Sequence, residues 1–147
     1  MLNPFDDSYF MRQALLEAEK AMVDGEVPVG AVVVAGNQII GRGHNLTEKL
    51  HDVTAHAEIQ ALTAAANYLG AKYLKECSLY VTLEPCPMCA GALYWSQIGK
   101  IIFGASDIKR GAMRYNPSLF HPNTSIISGI EDVACATLLR TFFEAKR

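Results

Sequence analysis

The sequence lacks a strong excess of charge of either sign. Its 147 residues include 13 basic and 15 acidic side chains, which give a net charge of −2. A protein that binds a large nucleic acid usually has a strongly basic balance, so binding of this kind must depend on local clusters of basic residues. Half of the residues are apolar and 19% are charged, a composition that indicates a folded chain rather than a disordered one.

The sequence also lacks any long hydrophobic run. No apolar stretch approaches the roughly 20 residues that a membrane-spanning helix needs, so no membrane partner is expected. The first residues, MLNPFDD, contain no basic segment followed by an apolar one, as a signal peptide would. Together these absences predict a soluble, cytoplasmic protein.

Cysteine is scarce, and its four positions are Cys77, Cys86, Cys89 and Cys135. In a reducing cytoplasm such thiols are more often metal ligands or core residues than disulfides. Cys86 and Cys89 are three residues apart, so one helical turn can direct both sulfurs to one point. Cys77 begins a predicted strand that leads to Cys86, which places the two residues roughly 25–30 Å apart. Cys135, beside two leucines, is expected to be a core residue.

The order of the predicted elements indicates an α/β fold. Apolar, β-branched runs predict strands at 28–34, 38–43, 79–83, 101–104 and 125–127. Helices are predicted after the capping residues 6–8, after Thr54, from Pro87 and near the C-terminal end. Strands and helices alternate after the opening hairpin, whose turn is Gly36-Asn37. We therefore expect one domain over residues 1–147, a three-layer α/β/α sandwich with a five-stranded mixed sheet.

The sequence also predicts an irregularity in the second strand and the buried face of the second helix. Gly41 and Gly43 predict a bulge or a close approach of another backbone near the end of the strand. The buried stripe of the helix is predicted to consist of Ile59, Leu62, Ala66 and Leu69.

His56 and Glu58 complete a set of groups that suits zinc chemistry. Two thiolates and one imidazole favour zinc, and three protein ligands leave a fourth position for water, as in catalytic sites. Glu58 can then take a proton from that water and later protonate the leaving amine. Residues i and i+2 do not share a helix face, so His56 and Glu58 can serve one site only if it lies over the helix end.

A structural zinc site is the alternative that the residues leave open. A lone C-x-x-C is about as often half of such a site as part of a catalytic one. A structural site needs a fourth protein ligand, for which His44 and His51 are available. The protein would then be a zinc-stabilised binding module without turnover. Glu58 argues against this alternative, because a structural site does not require it.

The longer motifs resemble a known family. H-x-E followed by P-C-x-x-C is the signature of zinc-dependent nucleobase deaminases. The segments at 26–31, 54–59, 80–92 and 103–112 resemble the bacterial tRNA-specific adenosine deaminases, and the similarity runs from about residue 8 to residue 143. The resemblance implies a cytidine deaminase-like fold, one Zn²⁺ per chain and a homodimer. The implied reaction converts the wobble adenosine of a tRNA anticodon to inosine and releases ammonia.

The resemblance also implies roles for single residues. Zinc would be bound by His56, Cys86 and Cys89, and protons would be moved by Glu58. Substrate contacts are assigned to Val27, Pro28, Asn45, Ala57, Asp107 and Lys109. Asn45 matches an asparagine that hydrogen-bonds the flipped base, and Val27 and Pro28 match walls of the pocket. Asp107 and Lys109 match a loop that contacts the flanking nucleotides, so the implied partner is a tRNA anticodon stem-loop.

A second enzyme hypothesis keeps the metal and Glu58 but takes a free nucleobase or nucleoside, either guanine or cytosine. The slightly acidic net charge favours it. The aromatic pair Tyr94-Trp95 also favours this hypothesis, because it resembles an aromatic pair at this position in guanine deaminases. The basic tail is short, only Lys146-Arg147, so contacts with RNA would depend more on the segment at 109–114.

Overall fold

A computed structural model of the protein describes residues 3–146. The strands within these residues form one mixed sheet. Its strands are β1 (Gly30–Ala35), β2 (Gln38–His44), β3 (Cys77–Leu83), β4 (Lys100–Ala105) and β5 (Ser125–Ser128). They lie in the order β2-β1-β3-β4-β5. β1 is antiparallel to β2 and β3, whereas β3, β4 and β5 are mutually parallel. The predicted five-stranded mixed sheet is thereby confirmed.

Helices cover both faces of this sheet. They are α1 (Asp7–Val23), α2 (Ala57–Leu69), α3 (Pro87–Ser96) and α4 (Asp132–Ala145). One apolar cluster joins the sheet to α2 and α3, and a second joins the opposite face to α1 and α4. The three-layer α/β/α sandwich is therefore confirmed. The single deaminase domain predicted for residues 1–147 stays a prediction, which the packing of both layers on one sheet supports. Within residues 3–146 no helix has the length and apolar character needed to cross a membrane.

The opening hairpin forms at the predicted turn. Ala35 pairs with Gln38, and Gly36 between them adopts a φ of +63°, which glycine tolerates without strain. Val33 pairs with Gly41 but Val34 pairs with Ile39, so one extra residue bulges out of β2. This bulge lies near the start of β2 and not near its end, where the other predicted possibility, a close approach of another backbone, is found at Gly41 and Gly43.

The packing of α2 on β2 differs from the predicted stripe. The residues of α2 that are fully buried are alanines, Ala57, Ala61 and Ala65. Ile59, Leu62 and Ala66 are only half-buried, and Leu69 is 44% exposed, so the stripe was wrong for Leu69. Beneath the alanines β2 carries Gly41 and Gly43, and the helix backbone comes so close that larger side chains would not fit between them.

The cysteines outside the zinc motif lie in the core. Cys77 is the first residue of β3 and is 3% exposed, and Cys135 in α4 is 1% exposed. Burial raises the pKa of both thiols, which keeps them protonated and unreactive. All four cysteines are free thiols.

Candidate metal and active site

Two helix N-termini converge beneath one cavity. His56 is the N-cap residue of α2, and Cys86 is the N-cap residue of α3. The prediction that Thr54 caps α2, with His56 inside the helix, was wrong. The Thr54 hydroxyl instead donates to Asp52 Oδ1 at 2.7 Å, so the helix begins later. As the sequence required, His56 and Glu58 lie at the end of the helix, where both can serve one site.

The three predicted ligands form one cluster. His56 Nδ1 lies 3.7 Å from Cys86 Sγ and 3.5 Å from Cys89 Sγ. All three ligand atoms lie within 4.8 Å of one another. Zinc–sulfur bonds of about 2.3 Å and a zinc–nitrogen bond of about 2.0 Å in a tetrahedron would separate sulfur and nitrogen by about 3.5 Å. The donor set and its spacing therefore fit zinc.

Among residues 3–146 no fourth protein ligand completes the cluster. His44 Nδ1 instead lies 3.4 Å from Glu17 Oε1, and His51 is exposed in a turn with a φ of +51°. Neither histidine is therefore the fourth ligand that a structural site needs. Three protein ligands beneath an open cavity have the composition of a catalytic zinc site.

The two thiols of the cluster are electrostatically prepared for a cation. A hydrogen bond from Cys89 holds the pKa of Cys86 at about 4 against the effect of partial burial, and the His56 imidazole lowers this pKa further. The same hydrogen bond, together with burial, raises the pKa of Cys89. Because metal ligands must be deprotonated, a metal cation at the cluster would favour the thiolate form of both side chains.

Glu58 lies beside the cluster with its side chain almost fully enclosed. It is 4% exposed, and burial raises its pKa to about 7, although its own backbone N–H and the His56 imidazole oppose this effect. A carboxyl group with a pKa near the working pH can both accept and return a proton. This environment suits the proton transfer that the sequence predicted for Glu58.

A cavity of about 810 Å³ opens above the cluster. The predicted site residues that line it are Val27, Asn45, His56, Ala57, Glu58, Cys86, Asp107 and Lys109. Cys89 is fully buried. Pro28 is buried next to the wall formed by Val27 and Val29 and does not itself border the cavity. Most of the predicted site residues are therefore brought together around one opening.

The amide of Asn45 is held in a defined orientation at the wall of this cavity. Its Nδ2 donates to the carbonyl oxygen of Val27 at 3.3 Å, and its Oδ1 accepts from the backbone N–H of Thr47 at 3.1 Å. Asn45 is 9% exposed, so the amide borders the cavity without reaching far into solvent.

The other side of the opening is a loop at 106–114, here called the 106–114 loop. Asp107 Oδ1 accepts from the backbone N–H of Arg110 at 3.1 Å, and its carbonyl oxygen accepts from Gly111 at 2.8 Å. Arg114 donates to the carbonyl oxygen of Lys109. Lys109 and Arg110 are exposed, so the loop presents two cations beside the cavity.

Sequence reasoning missed several residues of the wall. They are Val29, Thr47, Leu83, Glu84, Ser106, Ile108, Leu139 and Phe143, whereas Arg110, which also lines the wall, lies in the predicted segment at 109–114. Leu139 and Phe143 are four residues apart on α4 and therefore share one face of that helix. Phe143 is 49% exposed despite its apolar side chain, and this exposure cannot be seen in the sequence, where Leu139 and Phe143 resemble core residues of the helix.

Several known proteins have sequences and folds similar to those of this chain. A model of the cytidine and deoxycytidylate deaminase zinc-binding region matches residues 4–105. The tRNA-specific adenosine deaminase of Bacillus subtilis (strain 168) is 42% identical over 146 residues, which span 96% of this chain and 91% of that protein. A solved structure from studies of A-to-I editing by tRNA:A34 deaminases at the wobble position of transfer RNA has a TM-score of 0.84 and 40% identity. The match covers 89% of this chain and 99% of that chain.

A guanine deaminase from Nitrosomonas europaea also has this fold. Its structure matches with a TM-score of 0.81 and 25% identity, over 97% of this chain and 85% of that chain. Together the comparisons confirm the predicted cytidine deaminase-like fold and the predicted zinc cofactor.

Proposed function

The chain belongs to the zinc-dependent deaminase family that includes the tRNA-specific adenosine deaminases, and we propose that it converts the wobble adenosine of a tRNA anticodon to inosine. The observation that carries this proposal is the position of the buried Glu58 beside the cluster of His56, Cys86 and Cys89, at the base of one cavity. The overall reaction consumes one water molecule and releases one ammonia molecule.

The proposed roles follow from the chemistry of each group. His56, Cys86 and Cys89 would hold zinc, which when bound acts as a Lewis acid toward a water molecule. Glu58 accepts a proton from this water and delivers it to a ring nitrogen of the adenine. The water oxygen bonds to the ring carbon that carries the amine, Glu58 moves the second proton to this amine, and the carbon–nitrogen bond breaks so that ammonia leaves. Its pKa of about 7 suits a group that must alternate between the two protonation states.

The wall of the cavity supplies the contacts that we assign to the base. The oriented amide of Asn45 can hydrogen-bond the edge of a base, because its partners Val27 and Thr47 leave each polar atom with remaining capacity. Val27 and Ala57 supply apolar surface nearby. We include Pro28 only as a support behind this wall.

RNA recognition is supported by the charges around the opening. Lys109 and Arg110 lie in the exposed loop beside the cavity, and Arg114 follows in the same loop. These cations provide the local basic cluster that the overall charge of −2 does not indicate. An anticodon loop is already single-stranded, so turning one base into a small pocket costs little unstacking energy.

Deamination of free guanine is the second candidate, and the similarity to a guanine deaminase favours it. The aromatic pair does not strengthen this alternative. Trp95 is 75% exposed, and neither Tyr94 nor Trp95 borders the cavity. The aromatic rings therefore do not shape the pocket in which a free base would bind.

Ammonia release from a panel of substrates separates the two candidates. The panel contains an anticodon stem-loop with adenosine at the wobble position, the same stem-loop with guanosine there, free adenosine, guanine and cytosine. We expect kcat/KM for the adenosine stem-loop to exceed that for free adenosine by on the order of 10³-fold, because remote contacts add binding energy. Equal turnover of free adenosine, or faster turnover of guanine, would refute the proposal.

We also propose that the chain forms a homodimer and acts in the cytoplasm, where its tRNA substrate is found. Support for the dimer comes from α3, on which Met88, Tyr94 and Trp95 are apolar and 37%, 37% and 75% exposed. Light scattering should give twice the mass of the chain. Trp95→Lys should reduce that mass, whereas Val133→Lys, at a 74% exposed position on α4, should not.

A further inference from the structure

A buried carboxylate joins the zinc motif to the 106–114 loop. Glu84 lies between the end of β3 and Pro85 and is only 7% exposed. Its Oε1 accepts from the backbone N–H of Asp107 at 3.0 Å, and its Oε2 accepts from the backbone N–H of Met113 at 3.0 Å. One side chain thus holds both ends of the turn that carries Lys109.

The main chain beside Glu84 holds the same loop. The Glu84 N–H donates to the carbonyl oxygen of Ala105 at 2.8 Å, and the Ala112 N–H donates to that of Pro85 at 2.8 Å. Gly111 passes so close that a β-carbon there would lie 1.8 Å from Glu84 Oε2. The loop is therefore closed around this carboxylate and depends on a glycine to do so.

We propose that Glu84 is a positioning residue that sets the affinity of the site for RNA. By holding the 106–114 loop at the edge of the cavity, it places Asp107 and Lys109 where nucleotides beside the flipped base would pass. Each of its oxygens accepts from a backbone N–H group of the loop, and we therefore assign it to holding the loop, whereas Glu58 moves the protons. This inference rests on the proposed function, since it concerns the partner of the same site.

The requirement is for a carboxylate rather than for any polar side chain. Glutamine offers one accepting oxygen, and its NH₂ group would face the second backbone N–H, donor against donor. Hydrogen bonds to an ionised acceptor are also roughly twice as strong as those between neutral groups. Glu84→Gln should therefore break the hydrogen bond at one end of the loop and weaken the one at the other end, while leaving the length of the side chain unchanged.

The chain contains a matched control on the opposite side of the cavity. Glu26 is 1% exposed and accepts from the backbone N–H groups of Glu48 at 3.0 Å and Lys49 at 2.9 Å, one at each oxygen. It holds the segment that follows Asn45. Glu26→Gln makes the same chemical change at a different loop.

The experiment measures amide hydrogen exchange and steady-state kinetics on the zinc-loaded full chain. In Glu84→Gln we expect the amides of Asp107 and Met113 to exchange about 10–100-fold faster, because a charge-assisted hydrogen bond is lost. The amide of Ala90, which donates within α3 to Cys86, should keep its protection. In Glu26→Gln faster exchange should appear at Glu48 and Lys49 instead.

Kinetics then separate positioning from general damage. In Glu84→Gln we expect KM for the adenosine stem-loop to rise about 10-fold or more, with kcat changed by less than about 3-fold and zinc still at one per chain. Gly111→Ala should give the same pattern without altering the carboxylate, because its β-carbon would displace the loop. This second variant decides the matter if Glu84→Gln does not fold.

Two results would overturn the inference. One is that the backbone amides of Asp107 and Met113 exchange no faster in Glu84→Gln and Gly111→Ala than in the unmodified protein. The other is an equal fall in kcat for stem-loop and free adenosine together with loss of zinc, which a purely structural role would produce. If the unmodified enzyme shows no preference for the stem-loop, the proposed function fails and with it the link to RNA. The exchange measurement needs no substrate, so it still decides whether Glu84 holds the loop.

Discussion

Gly43 in β2 lies directly against Ala57, the first residue of α2. A β-carbon at Gly43 would sit 2.5 Å from the carbonyl oxygen of Ala57, and Gly41 stands in the same relation to Ala61. The helix therefore rests on bare strand backbone. Because Ala57 directly follows His56, the position of this predicted metal ligand depends on the absence of side chains at Gly41 and Gly43.

Replacing this glycine should disturb both stability and the metal site. In Gly43→Ala the added carbon must push α2 away from the sheet, and overpacking of this kind costs about 1–3 kcal/mol. We expect a lower midpoint of thermal unfolding and weaker zinc retention, measured by calorimetry and by metal analysis after dialysis. Gly91→Ala is the control, because it has open space around its β-carbon in α3 and should be neutral or slightly stabilising. Equal behaviour of the two variants would contradict the role of the close packing.

Local patterns predicted the sheet and the zinc ligands but not how α2 packs. Strands, turns and the C-x-x-C spacing are properties of short segments, so they can be recognised without tertiary contacts. The start of α2 was wrong because Asp52, rather than the helix, binds the Thr54 hydroxyl. The buried face was missed because alanine carries little weight in a hydrophobic pattern, and its burial depends on Gly41 and Gly43 in another element.

Local sequence patterns could not predict which residues form the rim of the cavity, for the same reason. In the sequence nothing distinguishes Glu26 and Glu84 from other acidic residues. In the fold each is buried by a loop that lies more than twenty residues further along the chain, and this loop donates two backbone N–H groups to the carboxylate. Phe143 joins the wall only because α4 packs across β4 and ends beside the opening. Such contacts follow from the assembled fold and not from the spacing of neighbours.

Glu58→Gln should separate catalysis from folding. The variant keeps the shape of the side chain but removes the group that accepts and returns the proton. A single general acid–base group contributes typically about 10²–10⁴-fold, so we expect kcat on the stem-loop to fall by that factor. Zinc content and the midpoint of thermal unfolding should stay unchanged or rise slightly, because a neutral group replaces a buried acid. Retained activity would assign the proton transfer to another residue.

Removing one thiol should remove the metal. Cys89→Ala deletes a ligand whose sulfur lies 3.5 Å from His56 Nδ1, so metal analysis should find far less than one zinc per chain and no deamination. Cys135→Ala is the matched control, since this buried thiol lies in α4 outside the cluster. It should keep zinc and activity and lose about 1 kcal/mol of stability from the lost packing. Loss of zinc in the control would mean that Cys135 takes part in metal binding.

Glu17 in α1 should make stability depend on acid pH. Its carboxylate lies 2.7 Å from Lys20 Nζ, 3.5 Å from Arg42 and 3.4 Å from His44. Burial alone would raise its pKa, but the hydrogen bonds with Lys20 and His44 outweigh burial and hold the pKa below its ordinary value of 4.5. The folded protein therefore favours the ionised form. The stabilisation is complete above the pKa of the unfolded chain and is lost as the pH falls through the lower pKa of the folded state.

Glu17→Gln should lower the midpoint of thermal unfolding by several degrees at pH 7, and the difference from the unmodified protein should shrink as the pH falls below 4.5. The exposed neighbour Glu19, changed to Gln, should show no such difference at any pH, and a pH-independent effect of Glu17→Gln would mean that packing rather than charge is responsible.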